Sequence, residues 1–409
     1  MSVPSQSEAV QPLAGVRVLE LGSFIAAPTA GRMLADFGAD VIKVERPGVG
    51  DELRNWRLYA GTTSMLFRAL NRNKRSITLD LRDPEDRRVL LDLVAEVDIV
   101  LENFRPGKLE EWGIGPTELD EANPEVILAR ISAFGQTGPR SRLPGFGAIA
   151  EALGGMRELT GEPDRPPVRV GISIGDSLAG LYAAQGVTML LHQRAERRAQ
   201  GLPTLPLADR IVDVALTESV LSVMESLLPD LGAYGVARER LGGWTQGIAP
   251  SNAYPCLEGR SIVIAGNGDG IFARLAAAIG RPELATREDL ASNALRWERR
   301  VELDTIIGEW TAARSVEDVA AVLDAAGVPC SPIYTAADIV ADAQFAARGM
   351  VQRMPVSTGE ATIDEVPFAG IVPQIGSVPR DIAWLGPDLG EHNAEVLGGL
   401  RARAAEPRR

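Results

Sequence analysis

The stretch GISIGDSLAG, residues 171–180, sets a lone carboxylate, Asp176, between a glycine turn and a long apolar run. Two chemistries suit that position. Asp is a favoured helix cap, because its oxygens accept the N–H groups that a helix start leaves unpaired. The same helix-end field stabilises an ionised carboxylate, and such a group can attack an activated acyl carbon to form a covalent intermediate. The roles are compatible, and residue types alone leave both open. The spacing predicts a helix over 177–198, and Leu178, Leu181, Tyr182, Val187, Met189, Leu190 and Leu191 leave it almost no polar face, so it is expected to be buried.

Cations supply the second clue. Residues 68–88 hold seven Lys or Arg against four Asp or Glu, in a chain whose formal net charge is -13. That is either a solvated loop or a place for phosphates, to which Arg and Lys offer charge-assisted hydrogen bonds. Arg46 closes the strand-like ADVIKVER and favours the second reading. Arg140, Arg142 and Arg169 lie on loops flanking the Asp176 segment. The glycine turn at 266–270 can present N–H groups to a developing oxyanion, or simply start a helix.

Other chemistries lack their residues. His192 lies sixteen residues along the expected helix from Asp176, about 24 Å at 1.5 Å per residue, and cannot act with it within one chain. No GxSxG elbow appears, GNGDG at 266–270 is followed by Ile271 where a dinucleotide fingerprint needs Gly, and no Cys/His cluster has zinc spacing. Cys256 and Cys330 read as free thiols. The acidic balance argues against nucleic acid as a partner. No apolar run reaches the length of a membrane span and the start lacks a signal-peptide pattern, so a cytoplasmic protein is expected.

The elements that must position these groups read as alternating strands and helices. Strand 16–22, a helix to Gly38, strand 39–48, strand 76–81, helix 84–97, strand 98–104, helix 116–122 and strand 125–135 follow in order. Val- and Ile-rich strands without alternation suit a parallel sheet covered on both faces, so an α/β fold with an open Rossmann-type sheet is expected. Residues 1–12 read as disordered and 13–228 as a large ligand-binding and catalytic domain. A small α/β domain over 229–335 and a return segment over 336–409, with short strands rejoining the sheet, complete the expected organisation.

In this order, PLAGVRVLELG, FGADVIKVERPGVGD, NRNKRSITLDL, ENFRPGKLEEWGIG, NPEVILARISAFGQTGP, PGFGAIAEALGG, GDSLAGLYAA, VDVAL, GVPCSPI and LGPDLGEHNAEVL resemble the family III CoA transferases across roughly residues 12–400. The likeness looks nearest to the succinyl-CoA-dependent dicarboxylate enzymes. It implies that Asp176 is the nucleophile, forming an aspartyl mixed anhydride and then an aspartyl-CoA thioester. It implies that Arg46, Leu79 and Arg82 contact CoA and that Ser23, Phe24, Ile25 and Ala26 line its pantetheine end. Phe146 and Gly147 become candidate substrate residues, Arg140, Arg142 and Arg169 become candidates to pair with a second substrate carboxylate, and the family's glycine loop falls on the turn at 242–247 or 266–270. The resemblance further implies an interlocked homodimer, acyl-CoA and carboxylic acid as the substrates, and no metal or cofactor beyond CoA itself.

The sequence departs from the family at AQGLPTLPLADRI, where a short glycine turn is usual, and carries Ser23 and Ile25 where the oxalate enzymes have His and Gln. Two alternatives remain. An α-methylacyl-CoA racemase needs a second base, and Phe146 occupies the position of its histidine. A non-catalytic CoA-binding protein would keep ligand binding on loss of Asp176.

Overall fold

The computed structural model describes residues 11–358 and 361–404. Two compact units divide the chain. The first comprises residues up to Met156, Val170–Glu225 and Ala343 onward, and the second comprises Arg157–Arg169 and Ser226–Asp342. Segment 157–169, read from sequence as part of the large domain, belongs with the second unit. Its backbone is claimed there, as Gly161 O accepts from Gly242 N and Glu158 O from Arg240.

Six parallel strands form the core of the first unit: β1 Arg17–Glu20, β2 Asp40–Glu45, β3 Lys74–Thr78, β4 Ile99–Glu102, β5 Ile127–Ser132 and β6 Ile211–Ala215. Their order across the sheet is β3-β2-β1-β4-β5-β6, with every pairing parallel. This is the doubly wound order, and it reverses direction between β1 and β4. All six residues of β5 and all four of β4 are buried, as strands covered on both faces require. Leu19, Ile42, Ile77, Val100 and Leu128 join Leu90, Leu93 and Leu119 in the main core.

Helices pack on both sides of this sheet. The first, α1, spans Ala26–Ala35, and α2 spans Pro84–Val94, with Asp83 accepting from Glu85 N and Pro84 at its first position. Two more matter for the site, α3 over Gly147–Leu153 and α4 over Ile174–Ala199. A fifth, α5 over Leu216–Leu221, follows β6 directly. Helix α4 starts three residues earlier than the periodicity predicts, so Asp176 stands inside its first turn and Ser173 holds the cap position. Nor is α4 buried all round. Its buried residues are Gly175, Ala179, Gly180, Ala183, Ala184 and Val187, a stripe of small side chains, while Leu181 and Met189 are exposed.

The atypical segment after α4 covers the amino-terminal edge of β5. Arg197 donates to Pro203 O, and Arg210 donates to Leu205 O and Val126 O. The return segment departs from expectation. Its strands, β10 Val351–Ser357 and β11 Thr362–Ala369, pair antiparallel with each other and do not join the six-stranded sheet. The exposed edge of β3 is satisfied another way. Trp384 Nε1 donates to Lys74 O, His392 N to Ser76 O, and Thr78 N to Asn393 Oδ1, so side chains and one loop take the bonds a seventh strand would make. Of the expected disordered stretch 1–12, residues 1–10 lie outside the described residues. Gln11 is fixed, with its amide donating to Pro379 O.

The second unit holds a three-stranded antiparallel sheet in the order β9-β8-β7, made of Cys330–Pro332, Ser261–Ala265 and Ser251–Pro255. Helices α6 Asp269–Ala278, α7 Arg300–Ala312 and α8 Val316–Ala325 cover one face around Ile262, Ile264, Phe272, Leu275, Leu303 and Leu323. Cys256 and Cys330 are free thiols. Among the described residues, no helix is long and apolar enough to cross a membrane.

Candidate active site

The carboxyl ends of β3, β2, β1 and β4 open onto one cavity of about 220 Å³, placed where an open α/β sheet with this strand order binds ligands. Ser23 and Phe24 reach it from the β1 loop, Arg46, Gly50, Asp51 and Glu52 from the β2 loop, Leu79 and Arg82 from the β3 loop, and Phe104 and Trp112 from beyond β4. Five of the seven expected CoA residues therefore share its wall. Ile25 and Ala26 do not. Ile25 packs under the loop against Leu53 and Phe67, and Ala26 is already the first residue of α1.

Most of the basic stretch 68–88 is committed to structure. Lys74 is fully buried on Glu20, Arg72 pairs with Asp36, Arg75 with Asp40 and Glu395, and Arg68 with Asp388. Arg82 alone of these cations reaches the cavity, where Asp80 holds it through two hydrogen bonds at 2.9 and 2.7 Å. That hydrogen bonding holds the Asp80 carboxyl down to about 2. Arg46 is exposed at the mouth.

The β1 loop is held with unusual completeness. Gly22 O accepts from Lys43 Nζ at 2.7 Å, Ser23 N donates to Asn103 Oδ1 at 2.9 Å, Ser23 O accepts from Asn103 Nδ2 at 2.7 Å, and Phe24 N donates to Asp51 Oδ1 at 3.0 Å. Phe24 adopts φ +64°, a left-handed conformation costing an L-residue about 1–2 kcal/mol, which these bonds offset. Against the burial that disfavours its charge, Asp51, Glu20 and Glu45 raise the pKa of Lys43.

Asp176 approaches this loop along two routes. Its Oδ2 lies where a Cβ on Gly147 would stand, so the carboxylate packs directly on the first residue of α3. Phe146, the residue before, meets Phe24 edge to face with ring centroids 5.9 Å apart. One turn along α4 from Asp176, a Cβ on Gly180 would come within 2.7 Å of Ala26 O, so α4 rests on the start of α1. The glycines at 147 and 180 thus let α4 pack closely on α3 and α1, while Asp176 itself stays off the cavity wall and is linked to it through Gly147, Phe146 and Phe24.

The remaining expected residues scatter. Phe146 is 64% exposed and offers no base where a racemase needs one. Arg140 is exposed on its loop, and Arg142 lies against the 105–107 turn, 4.0 Å from where a Cβ on Gly107 would stand. Arg142 thus sits by the β4 end of the cavity. Arg169 is exposed on the second unit. His192 is exposed far along α4, and His392 Nδ1 accepts from Ser76 N at the sheet edge. The 266–270 turn starts α6 and is gripped by buried Arg296, which donates to Asn267 O and Asp269. In the 242–247 turn, Trp244 Nε1 donates to Asp304, which also accepts from Asn252 and Tyr254.

Sequence reading passed over Asp51, Lys43, Asn103, Phe104 and Trp112. A signal existed for Lys43, since a charge inside a strand of otherwise continuous apolar residues must be paired to be buried.

The first unit is thus a doubly wound α/β fold with a ligand-sized cavity at its switch point and Arg46 and Arg82 on the cavity wall. Residues 13–393 match the sequence profile of CoA-transferase family III, and the chain belongs to that family of enzymes. It is 47% identical to the succinyl-CoA–D-citramalate CoA-transferase of Chloroflexus aurantiacus, over 95% of this chain and 94% of that one. It is 37% identical to the succinyl-CoA–L-malate CoA-transferase beta subunit of the same organism, over 94% and 93%. The crystal structure of a CAIB/BAIF family protein from Brucella suis superposes with a TM-score of 0.82 at 34% identity, covering 95% of this chain and 99% of that one.

Proposed function

We propose that the protein moves CoA from succinyl-CoA to a dicarboxylic acid, with D-citramalate first among the acceptors and malate, itaconate and hydroxymethylglutarate behind it. The 47% identity to the citramalate enzyme supports this donor and acceptor. In the proposed cycle the Asp176 carboxylate attacks the thioester carbonyl and CoA thiolate leaves, giving a mixed anhydride. The thiolate then attacks the aspartyl carbonyl, forming an aspartyl-CoA thioester and releasing succinate. The acceptor carboxylate attacks that thioester, and the freed thiolate returns to the acceptor's carbonyl, restoring Asp176. Each step exchanges one acyl oxygen or sulfur bond for another, so the cycle uses no metal, redox group or ATP.

The observation that carries this reading is the packing of Asp176 on Gly147, next to the Phe146–Phe24 pair at the cavity. A pre-placed nucleophile is what a weak one such as carboxylate requires. CoA phosphates would meet Arg46 and Arg82, and a second acceptor carboxylate would meet Arg140 or Arg142. We take the enzyme to work as a cytoplasmic homodimer. The apolar groove where α1 meets α4, with Leu181 and Met189 exposed beside Leu13 and Met33, supports self-association, which sedimentation would test. Exchange rates with succinyl-CoA across mono- and dicarboxylates test the substrate class. Citramalate should exceed butyrate by at least about tenfold, and equal rates would contradict the proposal.

A further inference from the structure

We propose that Asp51, locked in place by Lys43, is a positioning residue for the acyl-CoA cavity. The proposal rests on the reading that this cavity holds CoA. Asp51 is 2% exposed and divides its two oxygens between separate tasks. Oδ1 accepts from Phe24 N at 3.0 Å and from Leu53 N at 2.9 Å, joining the β1 loop to the β2 loop through one atom. Oδ2 lies 2.9 Å from Lys43 Nζ as an ion pair, while that ammonium gives its hydrogen bonds to Glu20 Oε1 and Gly22 O. The backbone of Asp51 is fixed as well, donating to Glu45 Oε2 at 2.9 Å, and Glu45 is itself held by Arg54 and Ser76.

The consequence falls on Phe24. Its left-handed backbone is unfavourable without the bond to Asp51, and its ring both borders the cavity and meets Phe146 beside Gly147. Release of that N–H lets the residue relax to negative φ, which swings the ring and the Ser23 wall away together. A single buried oxygen therefore sets the shape of the cavity wall, with Lys43 supplying the charge that keeps the oxygen there.

Two variants separate these tasks. Asp51→Asn keeps an acceptor oxygen at the same place but loses the charge facing Lys43. Asp51→Glu keeps the charge and moves the acceptor by one methylene. With succinyl-CoA as donor, D51E should raise the donor KM about tenfold, the scale of the lost hydrogen bond to Phe24 N, and leave the acceptor KM near its native value, while the extra methylene in this buried site lowers Tm. D51N should lower Tm and move the donor KM by less than about threefold. A donor KM that stays native in D51E, or that follows Tm through both variants, makes Asp51 merely structural and overturns the proposal. Arg46→Ala is the control for the underlying reading. A raised donor KM in R46A with a native one in D51E defeats the positioning role alone, whereas a native donor KM in R46A defeats the placement of CoA in this cavity.

Discussion

Asp176 Oδ2 occupies the volume that a Cβ on Gly147 would need, although twenty-nine residues separate the two in the chain. The carboxylate is thus fixed by the absence of a side chain on the first residue of another helix. That contact turns a residue suited to capping into one aimed across its helix start.

Gly147→Ala is therefore expected to push the carboxylate aside without touching the cavity wall. The turnover number should fall about 100-fold, the scale of a 1 Å misplacement of a reacting group, while CoA affinity stays native. Calorimetric titration with CoA alongside steady-state rates checks both halves. Native turnover in G147A would remove the positional argument.

Asp176→Asn preserves shape and removes the nucleophile. Transferase activity should drop on the order of 10⁴-fold with the folded state and CoA binding retained. Loss of CoA binding together with activity would instead mean that Asp176 holds ligand.

Gly180→Val tests the seating of α4. A Cβ there meets Ala26 O and Thr29 Cβ at 2.7 Å, and the added branches have nowhere to go. Overpacking of this kind destabilises by about 1–3 kcal/mol, to be read from urea unfolding. An unchanged midpoint would contradict the close approach of α1 and α4.

Lys74 gives stability a pH dependence. Burial pushes its ammonium down to about 8, with Glu20 pulling the other way, against 10.5 for an exposed lysine. Between those values the unfolded chain holds more protons than the folded one, so this residue makes stability rise with pH across that window. Urea midpoints at pH 7.5 and 9.5 should differ in the wild type by more than in Lys74→Met. Equal pH responses in the two proteins would show that Lys74 keeps its proton when folded.

Much of this was legible before any coordinates. Continuous Val and Ile runs at crossover spacing gave the parallel strands, and the end of ADVIKVER put Arg46 at the mouth of the cavity. What failed to show was pairing across distance. Lys74 reads from sequence as part of a solvated or phosphate-binding stretch and Lys43 draws no reading, because their partner Glu20 lies 54 and 23 residues away and only the strand order brings the three together. Gly147 enters from sequence only through the family resemblance, as a substrate residue, and its seat for Asp176 shows no signal, since a missing side chain matters only through what fills its space. The return strands were misread because their alternation is equally good for a separate hairpin, and the sheet edge they were assigned to is closed by Trp384, His392 and Asn393.

The central claim is that Asp176 itself carries the group being transferred. Incubation with succinyl-CoA in the absence of acceptor, followed by hydroxylamine and peptide mass analysis, tests it most directly. A hydroxamate at Asp176, formed only when succinyl-CoA is present, is the predicted result. An unmodified Asp176 in protein that is active in exchange, or a hydroxamate on another carboxylate, would contradict it.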